Sequence, residues 1–461
     1  MKSEAINLRH VLEMGFRFDP SLHLSEGVIV REILKDMPCK VTTLSSATES
    51  IFIGNIFSRI WVKDQEHGVP YLSASDTTLA NLNTRQYLAK RQAAAMPHLI
   101  LKKGWILTTC SGTLGNTTFT NANYEGRIAT HDLIRIVPGI KKMPGGYIYA
   151  FLAGKYGYYQ LTQSQFGGVV KHVNPSQVGQ ILIPQFPESF QIEIDGMIQE
   201  AARLREEADS ALSSVHNFFE SKIKNISKKT SDKSLRCSCV KIKDIQSSLG
   251  TRFEASYYTS LGSEYEELIK KHFNSEPLNY FYKEISRPDL FKRTYVSSSN
   301  GHMFIGSTEL FYNIPKSNKF VSSATPKLES LILQEGWTVM PRSGTVSLGE
   351  VAYATSQHAQ KLASEDVVRL KPDNILKGAY AYGFLSSNIG NALIRKSIFG
   401  SVIQHIEPPM LETIPVPVFD DEFECIAKSV IDANKRLGRA GQLELDAIAK
   451  VETEIEKWSK A

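Results

Sequence analysis

The sequence predicts a mixed α/β fold built from two tandem copies of one domain, each followed by a long helix. Three observations predict it. Matched blocks recur in the same order about half a chain apart. Short β-prone runs alternate with Gly, Pro, Ser and Asn. Two proline-free amphipathic stretches close the two copies.

The repeat is read residue by residue. Gly15–Asp19 (GFRFD) is answered by Gly250–Glu254 (GTRFE), and Lys103–Trp105 by Glu335–Trp337. Ser111–Thr113 matches Ser343–Thr345, and Thr130–Arg135 (THDLIR) matches Ser364–Arg369 (SEDVVR). Phe166–Val173 (FGGVVKHV) returns as Phe399–Ile406 (FGSVIQHI), Pro175 as Pro408, and Ile181–Pro184 as Ile414–Pro417. Seven blocks in one order, at offsets of 232 to 235, identify a tandem duplication.

The elements follow in chain order. Residues 1–187 form the first domain, with strands expected at Trp105–Thr109 and Leu133–Val137 and a helix at Tyr147–Gly154. Residues 188–227 carry no proline, and Ile194, Ile198, Ala201, Leu204, Ala208, Leu212, Val215 and Ile223 recur in steps of three and four. That period marks a long amphipathic helix, about 55 Å at 1.5 Å per residue. Residues 228–418 repeat the domain, with strands at Thr338–Met340 and Val367–Leu370 and a helix at Ala379–Ser386. Residues 419–461 repeat the helix, with Phe423, Ile426, Val430, Leu437, Ile448, Val451 and Ile455 along its stripe. Two stripes of equal length are most simply buried on one another as an antiparallel coiled coil. Its seam is expected at Ile198, Ala201, Ala208, Val215, Val430, Leu437, Ile448 and Val451. Gly438 and Gly441 mark a kink or a close crossing in the second helix.

Charge follows the same division. Residues 1–187 hold 19 Lys and Arg against 12 Asp and Glu, and residues 228–418 hold 23 against 18. The helical segments are acidic, with 4 against 8 and 7 against 10. Basic domains alternating with acidic helices point to a polyanionic partner for the domains. No apolar run approaches the roughly 18 residues of a membrane span, so a cytoplasmic protein is expected. The five cysteines offer no zinc-site spacing; reduced thiols and no metal are expected.

A search for chemistry returns no nucleotide-binding Lys-Ser/Thr after Gly112–Gly115, no methyl-donor loop and no nuclease carboxylate cluster. No catalytic residue and no cofactor is assigned to this chain. Candidate DNA contacts are Ser111 and Ser343, whose glycine turns allow close approach, and Arg342, which Cys110 replaces in the first copy. His172 and His405 recur around a duplicated turn, and Lys171 stands beside the first. The histidines either touch DNA or hold that turn, and the residues leave both open. Arg85, Lys90 and Arg91 near Tyr87, and Lys292 and Arg293 near Tyr295, pair cations with aromatics in the manner of nucleic-acid contacts. Each also reads as ordinary solvated surface.

These blocks, in this order and duplicated, resemble the specificity subunit of type I restriction–modification systems over nearly the full chain. The resemblance rests on the Gly-Trp and Ser-Gly-Thr blocks, the Gly-rich turns ending in His172 and His405, the Ile-Pro and Val-Pro strand ends, and the helices after them. It implies two target recognition domains reading an asymmetric bipartite site in double-stranded DNA. It also implies helices that act as a ruler and dock two DNA adenine methyltransferase subunits, with motor–nuclease restriction subunits joining in phage defence. S-adenosylmethionine would then bind the methyltransferase partner. The rival reading is a protein-interaction scaffold that uses the helices without DNA.

Overall fold

Strands and helices follow one order twice along the chain. The structure, a computed structural model, describes residues 8, 11, 23, 25–112, 114–139, 142–163, 172–224, 239–248, 250–344 and 347–460. The first copy contains β1 (Val41–Thr43), β2 (Thr48–Ile53), β3 (Trp61–Val62), β4 (Gly68–Leu72) and β5 (Tyr87–Ala89). It continues with β6 (Ile106–Thr109), β7 (Thr117–Phe119), β8 (Ile128–Ala129), β9 (Leu133–Pro138) and β10 (Leu182–Pro184). The second contains β11 (Ser275–Pro277), β12 (Glu284–Ser286), β13 (Tyr295–Val296), β14 (Gly301–Ile305) and β15 (Phe320–Ser322). It closes with β16 (Thr338–Pro341), β17 (Ala352–Tyr353), β18 (Leu362–Ala363), β19 (Val367–Lys371) and β20 (Pro415–Pro417).

The topology is identical in the two copies. One has the pair β1–β10 and the sheets β2–β9–β6–β7 and β3–β5–β4–β8; the other has β11–β20, β12–β19–β16–β17 and β13–β15–β14–β18. Only β4–β8 and β14–β18 are parallel among these pairs. All four residues of β6 and of β16 are buried, as expected of strands covered on both faces.

Among the described residues eight helices reach nine residues or more. They are α1 (Glu26–Lys35), α2 (Gly145–Ala153), α3 (Lys155–Gln163), α4 (Glu188–Lys224), α5 (Leu261–His272), α6 (Ile375–Leu385), α7 (Asn388–Lys396) and α8 (Asp420–Trp458). In α2 and α6 nearly every residue is buried, because aromatic and aliphatic side chains surround both helices on all sides. α8 runs through Gly438 and Gly441 without a break. Gly438 instead marks a close approach, since a β-carbon there would stand 2.5 Å from Ser356 Oγ.

The boundaries between the compact units fall inside the two long helices. One unit is Met1–Glu206 with Ala440–Ala461; the other is Glu207–Arg439. Both long helices are therefore shared between the units. In the first unit, Ile194 and Ile198 of α4 and Ala447, Val451 and Ile455 of α8 belong to the core that holds Ile106, Ile134, Tyr147 and Phe151. Ala201 and Leu204 meet Ala440 and Leu443 beside it. In the second unit, Val215 and Phe219 join Ile426, Ala427 and Val430 around Tyr380 and Phe384.

The pairing of α4 with α8 is antiparallel within each unit. In the first, Glu193 pairs with Lys450 and Arg205 with Glu444. In the second, Glu207 pairs with Arg436 at 3.4 Å and Lys222 with Glu422 at 3.7 Å. Of the expected seam residues, Ile198, Ala201, Ala208, Val215, Val430 and Val451 are buried, while Leu437 and Ile448 are half-buried.

Candidate nucleic-acid interface

The site is built from a buried arginine outward. Arg135 on β9 lies opposite Leu107, and Arg369 on β19 lies opposite Val339; neither has any solvent exposure. The Arg135 guanidinium donates to the carbonyls of Leu133 (2.9 Å), Ala129 (2.9 Å) and Thr130 (3.2 Å). Arg369 donates to Val367, Ser364 and Ala363 in the same pattern, and to Leu331. Burial pushes both guanidinium groups down to about 10. With carbonyl acceptors in place of water, each arginine fixes the path of the turn entering its strand.

That turn presents Asp132 in one copy and Asp366 in the other. Ser111 Oγ donates to Asp132 Oδ1 at 3.0 Å, and Ser343 Oγ donates to Asp366. Ser111 bridges to His172, and Ser343 to His405, through the backbone. The residues flanking these serines repeat the lacing: Val173 N–H donates to Cys110 O at 3.1 Å, and Ile406 N–H to Arg342 O at 2.9 Å. The structure therefore joins three sequence blocks that were separate along the chain: the Ser-Gly turn, the acidic strand entrance and the histidine turn. Lys171 lies outside the described residues.

The copies differ in the charge laid over this frame. Arg342 donates to Glu407 Oε1 through Nε (2.9 Å) and Nη2 (2.5 Å), and approaches Asp366 at 3.5 Å. Arg287 reaches the other Glu407 oxygen at 3.3 Å. Burial works to raise the Glu407 carboxyl, but the two arginines outweigh it and hold it below the usual range. The first copy has Cys110 and Asn174 at the places of Arg342 and Glu407, so this ion cluster belongs to the second copy alone.

The other candidates sit around the β3–β5–β4–β8 sheet and its counterpart. Lys90 and Arg91 are exposed at the start of a short helix after β5, and Arg85 is exposed with a left-handed φ of 54°. Lys292 is exposed; Arg293 pairs with Glu365 at 2.6 Å and lies 4.9 Å from the Phe304 ring centre. Sequence reasoning passed over Arg59, the counterpart of Arg293. It lies over Phe57 and Tyr71, donates to Tyr71 Oη at 2.7 Å, and has no carboxylate partner among the described residues. The offset of 234 that links Thr130–Arg135 to Ser364–Arg369 also links these two arginines, and would have found it.

No family model matches the chain, and no curated protein matches it. Among solved structures it is similar to the S subunit of a type I restriction–modification system from M. genitalium. The identity is 12% and the TM-score 0.29, covering 92% of this chain and 96% of that one. It is similar to the HsdS subunit from Thermoanaerobacter tengcongensis at 12% identity and a TM-score of 0.27, with 92% and 96% covered. A chain from a study of complex assembly and conformational transition of the type I R-M system gives 12% identity and a TM-score of 0.28, with 92% and 97% covered. Over most of its length, then, the chain is similar to solved S subunits of type I restriction–modification systems.

Proposed function

We propose that this chain is the DNA-specificity subunit of a type I restriction–modification system, reading an asymmetric bipartite target with one domain per half-site. The observation that carries this reading is the doubling of one basic α/β domain around two shared acidic helices. A single domain reading a few base pairs gains about 1–3 kcal/mol per matched pair, and two linked domains combine their selectivity. The two copies differ at the turn, with Cys110 against Arg342, so the two half-sites differ as well; a symmetric homodimer would read a palindrome. The helices serve as ruler and dock for two DNA adenine methyltransferase subunits, with restriction subunits joining the larger complex in the cytoplasm. Methyl transfer from S-adenosylmethionine takes place on the partner, and this chain supplies no catalytic residue. No helix among the described residues is long and apolar enough to cross a membrane.

The test is methylome sequencing of a host carrying this chain and its methyltransferase, before and after residues 1–187 are exchanged for another first domain. One part of the methylated sequence changes and the other stays. A change in both parts together would replace the modular reading with one jointly formed site. Absence of any sequence-specific methylation would favour the scaffold reading.

A further inference from the structure

One duplicated block lies apart from the turn and histidine frame. Residues 56–62 (IFSRIWV) and 290–296 (LFKRTYV) stand at a constant offset of 234. The offset pairs Ile56 with Leu290, Phe57 with Phe291, Arg59 with Arg293, Trp61 with Tyr295 and Val62 with Val296. Exposure is matched as well. Ile56 is 85% and Leu290 83% exposed, and Trp61 is 50% and Tyr295 51% exposed.

The local geometry is also shared. Trp61 lies on β3 opposite Leu88 of β5, and Tyr295 on β13 opposite Val321 of β15; each strand is the outer one of its sheet. Phe57 and Phe291 pack against the buried clusters below and fix the block to the domain. Trp61 meets Tyr71 edge-on at 5.1 Å, and Tyr295 meets Phe304 edge-on at 6.5 Å. Arg59 and Arg293 lie over those same two rings, at 5.5 and 4.9 Å. Each copy thus presents an exposed aliphatic tip, an arginine held against an aromatic ring, and a half-exposed aromatic on a strand edge.

Burial within the domain does not account for this block, because an aliphatic side chain more than four-fifths exposed contributes little to folding. Its surroundings select the partner. Lys63, Lys90 and Arg91 are exposed around β3 and β5, and Lys292 and Lys319 around β13 and β15. Asp64 and Glu66 stand beside β3, where Asp64 pairs with His67; in the second copy Glu365 pairs with Arg293, and Asp289, just before the block, pairs with Lys327. Cations outnumber carboxylates around both blocks. A polyanion offers the same sugar–phosphate chain at every half-site, whereas its bases differ. A block kept alike in both copies suits that common part: arginine for phosphate, aromatic and aliphatic faces for sugar and groove wall.

We propose that residues 56–61 and residues 290–295 each form an anchoring site for the sugar–phosphate backbone of duplex DNA, positioning their domain without reading sequence. This rests on the DNA-binding reading above. The test measures binding of the full chain to a fluorescent random-sequence duplex across a salt series. Arg59→Ala and Arg293→Ala each lower the slope of log K against log salt by about one and weaken all duplexes alike. Trp61→Ala weakens binding to all duplexes alike, and Trp61→Phe restores most of it. Ile56→Ser, at an exposed tip that leaves folding intact, separates contact from stability and weakens binding with an unchanged thermal melt. Wild-type slope and affinity in all these variants would overturn the proposal. So would normal DNA binding with lost methyltransferase copurification, which would make the block a protein dock. A wild-type chain that binds no duplex at low salt would refute the DNA reading itself.

Discussion

Arg205 on α4 donates to Glu444 on α8, and both side chains are nearly excluded from solvent, at 11% and 6% exposure. A charge pair placed in an apolar helix seam fixes which residues face one another, because any shift in register leaves both charges buried and unpaired. Glu444→Ala is therefore expected to destabilise the first unit by about 3–5 kcal/mol in urea denaturation, since Arg205 stays buried without its carboxylate. The double variant Arg205→Met with Glu444→Leu should recover most of that loss. A double variant as unstable as the sum of the singles would show that the pair contributes no coupling.

Gly157 and Gly390 carry the second prediction. Each lies in the first turn of the helix that follows a buried one, α3 after α2 and α7 after α6. A β-carbon at Gly157 would stand 2.4 Å from Phe151 O and Leu152 Cα; at Gly390, 2.3 Å from Phe384 O and 2.5 Å from Leu385 Cα. In an open helix, Gly→Ala stabilises by about 1 kcal/mol. Here the neighbour is backbone, and the sign should reverse: Gly157→Ala and Gly390→Ala each cost about 2 kcal/mol, read as a lowered thermal midpoint. A raised midpoint would show that these helices have room to move apart.

His358 gives the third, a dependence on pH. Thr355 N–H donates to its Nδ1 at 3.2 Å, and its Nε2–H donates to Leu310 O at 3.0 Å, a pattern that only the neutral ring satisfies. Burial pushes its pKa down to about 4, and the carbonyl of Leu310 and the Lys361 cation make smaller contributions of opposite sign. The unfolded ring titrates near 6.5. Its contribution is therefore fully present above about pH 6.5 and is lost as pH falls toward 4, because the unfolded chain takes up the proton first. The second unit should melt progressively lower across that window, and His358→Gln should flatten the profile. An unchanged slope in that variant would exclude His358 as the titrating group.

The helices were legible because each repeats its apolar step over some ten turns and lacks proline; α4 and α8 begin and end within three residues of their expected limits. The strands Ile106–Thr109 and Val367–Lys371 were legible as unbroken β-prone runs. Arg135 and Arg369 were not. An arginine between aliphatic residues reads as a solvent-facing position, and its burial is decided by carbonyls that the fold brings from Ala129 and Ala363. Glu407 was missed for a similar reason, since its partner Arg342 is distant in sequence. The Arg59 block was obscured by its own exposure: Ile56 and Ile60 face solvent, which breaks the alternation that marks a strand. The partition of α4 and α8 between two units has no local signal, because one stripe serves both cores.

The division at Glu206 and Arg439 also sets an order of assembly during synthesis. The second unit is one uninterrupted stretch, whereas the first is completed by Ala440–Ala461, which follows that stretch in the chain. A nascent chain therefore has every residue of the second unit before it has the whole of the first. Until the last helical turns emerge, Ile194 and Ile198 wait without Ala447, Val451 and Ile455, the side chains that complete their core. The unit that starts earlier in the sequence is thus completed later than the other, and its apolar face stays open to association in the interval.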